Sequence, residues 1–311
     1  MNKQSIINVS QDSCLINYGF KKTKKKYMTK IFFEYKKKEI EISNLIRKIK
    51  EYHLYFLPLI SETQFNIQKL TQEWHYINII KMEYKINVPK SQCYKAFHVN
   101  SGGENFKKLL LSKKLNWLDT GFILKILSRL LEITNILHNN KIAHLDIRPE
   151  NIMYDETVDN FSDRIKLTNF GNSDMYPFNR YRYLKILNKN PYFPISSNEN
   201  YIKYLPKKKP NDWIINNHIY YHNSDSNSFD NVYKHDVYSI GMSIYFIFNC
   251  INKTSLDDLL KNTTNKNKEK KKLILLHTIL QKMTHEDINE RPSISLIQHH
   301  LSLKKTCCNI L

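Results

Sequence analysis

The segment His144-Leu145-Asp146-Ile147-Arg148-Pro149-Glu150-Asn151 brings an imidazole, two carboxylates, a guanidinium and a carboxamide into one short stretch. A carboxylate can accept or orient a proton, a guanidinium can meet an anion, and a carboxamide can offer a neutral oxygen. Taken alone, H-x-D reads better as a loop with a capping aspartate and a turn asparagine. Other chemistries are excluded by composition. The cysteines (Cys14, Cys93, Cys250, Cys307 and Cys308) are odd in number and form no C-x-x-C. That argues against a disulfide framework and a zinc site, and favours a reducing compartment. The glycines (Gly19, Gly102, Gly103, Gly121, Gly171 and Gly241) cannot assemble G-x-G-x-x-G or G-x-x-x-x-G-K-[ST], so a standard Rossmann fingerprint and a Walker A loop are ruled out.

The surrounding sequence sets out the elements that must position this segment. Tyr27–Phe33 is short, aromatic and β-branched, and reads as a strand; Tyr55–Ile60 and Tyr76–Tyr84 read as two more. Over Lys37–Ile49 the apolar residues Ile40, Leu45, Ile46 and Ile49 recur at helical spacing. A long helix follows a cap at Asp119 or Thr120, with Phe122, Ile123, Ile126, Leu127, Leu130, Leu131, Ile133 and Leu137 at three- and four-residue steps, ending near Asn139 and Asn140. Short strands are expected around Ile152–Tyr154 and Arg164–Thr168. Asn172–Val232 is polar and aperiodic, Asp236–Ile251 returns to an apolar helix, Lys261–Lys272 is a basic connector, and Leu273–Leu303 reads as two or three helices. A strand-rich part of about 85 residues precedes a helix-rich one, a two-lobed α+β arrangement.

At 311 residues the chain can bury a core without disulfide or metal staples. Its net charge of +19 would suit nucleic acid, an acidic membrane surface or an acidic substrate. The lysines, however, fall in separate runs (Lys21–Lys26, Lys36–Lys38, Lys207–Lys209, Lys270–Lys272) within a chain rich in Lys, Asn, Ile and Tyr throughout. That pattern argues for compositional bias and against nucleic acid as a principal partner. The start shows no signal-peptide pattern. The most apolar run, Ser239–Cys250, is shorter than the ~20 residues a spanning helix needs. An intracellular, soluble protein is expected.

His144–Asn151 resembles the catalytic loop of the protein kinase family, H-R-D-L-x-x-x-N, matching at His144, Asp146, Pro149, Glu150 and Asn151, with basic Arg148 where the family usually carries lysine. The resemblance implies a kinase-like fold with a small β-rich N-lobe (1–85), a larger helical C-lobe (86–305) and a short tail (306–311). It also implies ATP and Mg²⁺ as cofactors and a protein substrate. Phosphoryl transfer needs positioning and charge neutralisation more than covalent help. Asp146 would orient the acceptor hydroxyl, Arg148 would touch the γ-phosphate, and Asn151 would be a metal ligand. Lys30 sits where the family's strand lysine holds the α/β-phosphates, and Glu39 or Glu41 would pair with it, Glu39 fitting better. Ile80–Tyr84 resembles the strand leading to the hinge, with Met82 behind the adenine pocket and backbone around Glu83 and Tyr84 facing the base. Asp236–Gly241 resembles D-V-W-S-x-G, whose Asp braces the catalytic loop, and Arg291-Pro292-Ser293 resembles the late R-P-S motif.

The departures are specific. The nucleotide-covering loop, near Val9–Phe20, retains only Gly19. The family's D-F-G is Asn169-Phe170-Gly171, and Asn169 is a poorer ligand for a hard dication than a carboxylate. Asp174 is a candidate substitute carboxylate. Leu145 replaces the Arg that normally receives a phosphorylated activation loop. Pro191–Trp213 stands where A-P-E is expected, an activation segment that resembles those of kinase-like proteins of large DNA viruses, which would place the chain in host cytoplasm or a virion. The tail Cys308-Asn309-Ile310-Leu311 fits C-a-a-X with polar Asn309 against it; a lipidated Cys308, beside Cys307 and Lys304-Lys305, would give peripheral membrane attachment. Three functions follow: an ATP- and Mg²⁺-dependent Ser/Thr protein kinase, a pseudokinase acting as a binding or scaffold module, and a small-molecule phosphotransferase of related fold. The P-E-N, D-V-Y-S-I-G and R-P-S matches weigh against the third.

Overall fold

The computed structural model describes residues 5–9, 13–18, 27–32, 36–66, 93–112, 119–178, 230–262, 268–285 and 287–308. In chain order these are β1 (Ser5–Val9), β2 (Ser13–Tyr18), β3 (Tyr27–Phe32), α1 (Lys37–Ile46), a 3-10 turn (Tyr52–Leu54), β4 (Phe56–Leu57), β5 (Ser61–Asn66), β6 (Cys93–Asn100) and β7 (Glu104–Asn105). They continue with α2 (Phe106–Leu111), α3 (Thr120–Asn139), β8 (Ile142–Ala143), β9 (Ile152–Tyr154), α4 (Phe161–Arg164), β10 (Ile165–Thr168) and β11 (Asp174–Met175). The last are α5 (Asp230–Asn252), α6 (Leu256–Asn262), α7 (Lys268–Met283) and α8 (Ile294–Cys308).

A five-stranded antiparallel sheet, ordered β1-β2-β3-β6-β5, forms the first part. Strand β3 lies at its centre, with Lys30 opposite Leu15 on one side and Phe97 on the other. Because side chains alternate along a strand, Met28, Lys30 and Phe32 share a face. Met28 and Phe32 pack there with Leu57, Leu59, Phe97, Val99 and Met153, so Lys30 emerges from an apolar floor. The β1–β2 hairpin occupies much of the stretch expected to cover a nucleotide. Through β6 the sheet extends to Asn100.

The helical part gathers around α3. The Asp119 side chain accepts a hydrogen bond from Phe122 N–H at 2.7 Å, a cap that contributes about 1 kcal/mol. Behind it, Ile123, Leu127, Leu130 and Leu137 are fully buried against α5, α7 and α8. Three expectations are corrected. Tyr55–Ile60 contributes only the two-residue β4, because Tyr52–Leu54 winds as a 3-10 turn. Helix α1 stops at Ile46, three residues short of Ile49. Helix α5 begins at Asp230, ahead of the expected Asp236. Arg291 is buried, its Nε donating to His285 O at 2.8 Å and its guanidinium lying 4.7 Å from the Tyr238 ring centroid. Among the described residues no helix is long and apolar enough to cross a membrane. Helix α8 ends at Cys308, and Asn309–Leu311 lie outside the described residues, as do Gly19 and Pro191–Trp213.

Candidate functional site

Strand β3, helix α1, the loop between β8 and β9, and the turn after β10 converge on one line of polar contacts. Lys30 Nζ donates to Glu39 Oε1 at 2.5 Å, both side chains being almost fully buried. Helix α1 presents Glu39 inward, while Glu41, two residues on and so on another face, is exposed near Lys37 at 3.9 Å. Gly171 makes this fit feasible: a Cβ there would stand 3.0 Å from Glu39 Oε2.

Lys30 Nζ also donates to Asn169 Oδ1 at 2.7 Å, and Asn169 Nδ2 donates to Asn151 Oδ1 at 3.0 Å. Asn151 Nδ2 in turn donates to Asp146, to the backbone oxygen at 2.8 Å and to Oδ2 at 3.0 Å. Asn172 Nδ2 reaches the same carboxylate oxygen at 3.3 Å, and Arg148 Nε lies 3.3 Å from Asp146 Oδ1. A strand lysine is thus linked side chain by side chain to the aspartate of the loop. Asn169 takes a left-handed backbone, φ 65°, which Asn tolerates better than most residues.

The loop itself is held from several directions. Buried Asp236, from α5, accepts from His144 N–H at 2.8 Å and Leu145 N–H at 2.7 Å, and its Oδ2 lies 2.9 Å from His138 Nε2. Ser243 Oγ donates to Ile147 O, Ser173 Oγ to His144 O, and Lys107 Nζ pairs with Glu150 Oε1 at 3.0 Å. Asp174 Oδ1 is engaged by Lys38 at 3.4 Å and by Met175 N–H at 2.9 Å, so this carboxylate ties β11 to α1. Met82, Glu83 and Tyr84 lie outside the described residues. Sequence reasoning did not single out Asn172 or the Lys38–Asp174 pair; a second asparagine three residues after Asn169 was the available signal for the first.

His144 is fully buried, accepts from Asp146 N–H through Nδ1 at 3.3 Å and faces Thr168 O through Nε2 at 3.2 Å. Those partners fit the neutral ring with its proton on Nε2. Burial lowers its pKa from 6.5, outweighing the opposing pull of Asp236 and Asp146. His235 is held well below 6.5 by burial first and the Arg291 charge second. Both rings therefore protonate in the unfolded chain before they do so in the folded one. Stability is level above about pH 7 and falls as pH drops below about 6.5, by up to about 1.4 kcal/mol per pH unit for each ring that stays neutral. Urea unfolding between about pH 7.5 and pH 5.5 measures this slope. His235→Gln removes this ring's share of the slope and leaves that of His144, and an unchanged slope would show that His235 does not stay neutral.

The chain matches a family model described as Protein kinase domain over residues 19–181, just over half its length. It is 30% identical over 105 residues to Calcium-dependent protein kinase 4 of Plasmodium berghei (strain Anka), covering 34% of this chain and 19% of that protein. It is 27% identical over 135 residues to the Probable serine/threonine-protein kinase fhkA of Dictyostelium discoideum, covering 41% and 22%. CBL-interacting serine/threonine-protein kinase 7 of Arabidopsis thaliana is 28% identical over 97 residues, covering 31% and 20%. The matched stretch spans about a fifth of the length of each of these relatives. The family match takes in the strand lysine, the helix carboxylate and the H-x-D loop whose contacts are described above, and the chain belongs to the protein kinase domain family.

Proposed function

We propose that this chain is a protein kinase that binds ATP and transfers its γ-phosphoryl group to a Ser or Thr hydroxyl of a protein substrate. One observation carries the reading: the unbroken line from Lys30 through Asn169 and Asn151 to Asp146, with Glu39 holding one end and Arg148 beside the other. A nucleotide triphosphate fits the cationic part of that line. Lys30, held by Glu39, meets the α- and β-phosphates, and Arg148, partly exposed, meets the γ-phosphate. Asp146 accepts a hydrogen bond from the acceptor hydroxyl and takes its proton as the hydroxyl oxygen bonds to the γ-phosphorus; the bond to the β-phosphate oxygen breaks and ADP leaves. Met82, Glu83 and Tyr84 are the residues proposed to receive the adenine. The Ser/Thr preference is supported by Arg148, since a basic residue two positions after the aspartate is the more typical Ser/Thr pattern, and by the names of the relatives.

Membership of the family implies Mg²⁺ as ATP's usual companion, but the donor set does not fit that ion. Asn151 and Asn169 offer two neutral carboxamide oxygens, both already accepting hydrogen bonds, where Mg²⁺ is normally held by one or two carboxylates. The nearest carboxylates, Glu39 and Asp146, each face a cation. Among the described residues no group of three or more His, Cys, Asp and Glu side chains is placed to hold a metal ion. The same donor set favours a second reading, a pseudokinase that binds partners through this fold without turnover. Transfer of radiolabelled phosphate from ATP to generic basic and acidic proteins separates the two. Incorporation that disappears in Asp146→Asn supports the kinase; incorporation that persists there is contamination, and none at all leaves the pseudokinase.

A further inference from the structure

The direction of the Asn169 carboxamide is set by its neighbours. Asn151 directs Nδ2 at Asp146, leaving only its acceptor oxygen to face Asn169. On the other side, the Lys30 ammonium is a donor only. Asn169 therefore has to show nitrogen to Asn151 and oxygen to Lys30, as it does at 3.0 and 2.7 Å. A carboxylate at this position has no hydrogen to give. It would set one of its oxygens against Asn151 Oδ1, acceptor against acceptor, and a cation between them would be needed to relieve the contact. The carboxamide makes a hydrogen bond at the same place.

Charge points the same way. Lys30 is balanced by Glu39 and Arg148 by Asp146, so no surplus negative charge is left among these groups to draw a dication. The chain as a whole carries +19, a field that favours the free nucleotide polyanion over its partly neutralised metal complex.

We infer that the Asn169 amide stands in for the divalent cation, and that this cleft binds a nucleoside triphosphate as the metal-free anion. The inference rests on the reading of the cleft as a nucleotide site, and its test separates the two. ATP is titrated calorimetrically into the full chain in EDTA and in excess Mg²⁺ at matched ionic strength. The expected dissociation constants agree within about threefold. Asn169→Asp, which restores opposed oxygens, is expected to bind ATP about tenfold tighter with Mg²⁺ than with EDTA. It should also gain thermal stability from Mg²⁺ alone, which the parent chain does not. Wild-type binding more than about threefold tighter in Mg²⁺ overturns the inference and leaves the nucleotide site standing. No binding in either buffer overturns both. Should Asn169→Asp fail to fold, the two wild-type titrations decide the matter.

Discussion

Asp146→Asn lowers phosphoryl transfer by about 10²–10⁴-fold, roughly 3–5 kcal/mol of transition-state stabilisation. The substitution is nearly isosteric. Asp146 Oδ2 accepts from Asn151 and Asn172, and its Oδ1 faces Arg148 at 3.3 Å. A carboxamide keeps one acceptor oxygen for these partners but has no basic site for a proton. The charge opposite Arg148 is lost too, leaving that guanidinium freer to bind phosphate. ATP affinity therefore stays within about threefold of the parent or improves, while turnover collapses. Initial rates with radiolabelled ATP, set beside calorimetric ATP binding, give the two numbers. A variant that keeps more than about a tenth of parent activity shows that transfer does not depend on this carboxylate. Asn172→Ala is the matched control. It deletes one hydrogen bond to the same oxygen without touching its basicity, so its effect stays near that of a single neutral hydrogen bond, about 1 kcal/mol.

The sequence carries the helices and the loop more openly than the sheet, for physical reasons. The apolar steps of α3 run from Ile123 to Leu137 without interruption, and Asp119 supplies its own cap, so both core face and start are local information. Strands β5 and β6 are different. SETQFN holds a single large apolar residue, and CYKAFHVN sets its apolar residues on both faces, with Lys95 and His98 among them, so that pairing along β3 and each other is what fixes them. The preference for Glu39 over Glu41 rests in the sequence only on the isoleucines that follow it, Ile40, Ile42 and Ile46; the structure brings Glu39 against Lys30. The Asn-Phe-Gly run announces a lost negative charge. It says nothing of which way the amide points, because that depends on Asn151 and Lys30, residues 18 and 139 positions away in the chain. Asp174 shows the converse. Its type suggested a replacement ligand, and its place opposite Lys38 gives it a bracing role between α1 and β11.

Asp236→Ala is expected to remove about 3–5 kcal/mol of folding stability, a large part of the 5–15 kcal/mol typical of a folded domain. The carboxylate is fully buried and accepts from two consecutive backbone N–H groups, those of His144 and Leu145, with His138 Nε2 alongside. Truncation leaves buried donors without an acceptor, each costing about 1–3 kcal/mol. It also releases Leu145, which sits at φ 60°, a left-handed conformation that costs a non-glycine residue about 1–3 kcal/mol and persists only where its surroundings enforce it. Freed from Asp236, Leu145 relaxes toward an ordinary backbone and carries Asp146 with it, out of line with Asn151 and Asn172. Stability and transfer therefore fall together, unlike Asp146→Asn, where transfer falls and stability is nearly kept. Asp236→Asn retains one acceptor oxygen and should lose about half as much as alanine. Urea unfolding of the three proteins supplies the comparison; a loss below about 1 kcal/mol in the alanine variant would mean that the loop holds its strained turn without this carboxylate.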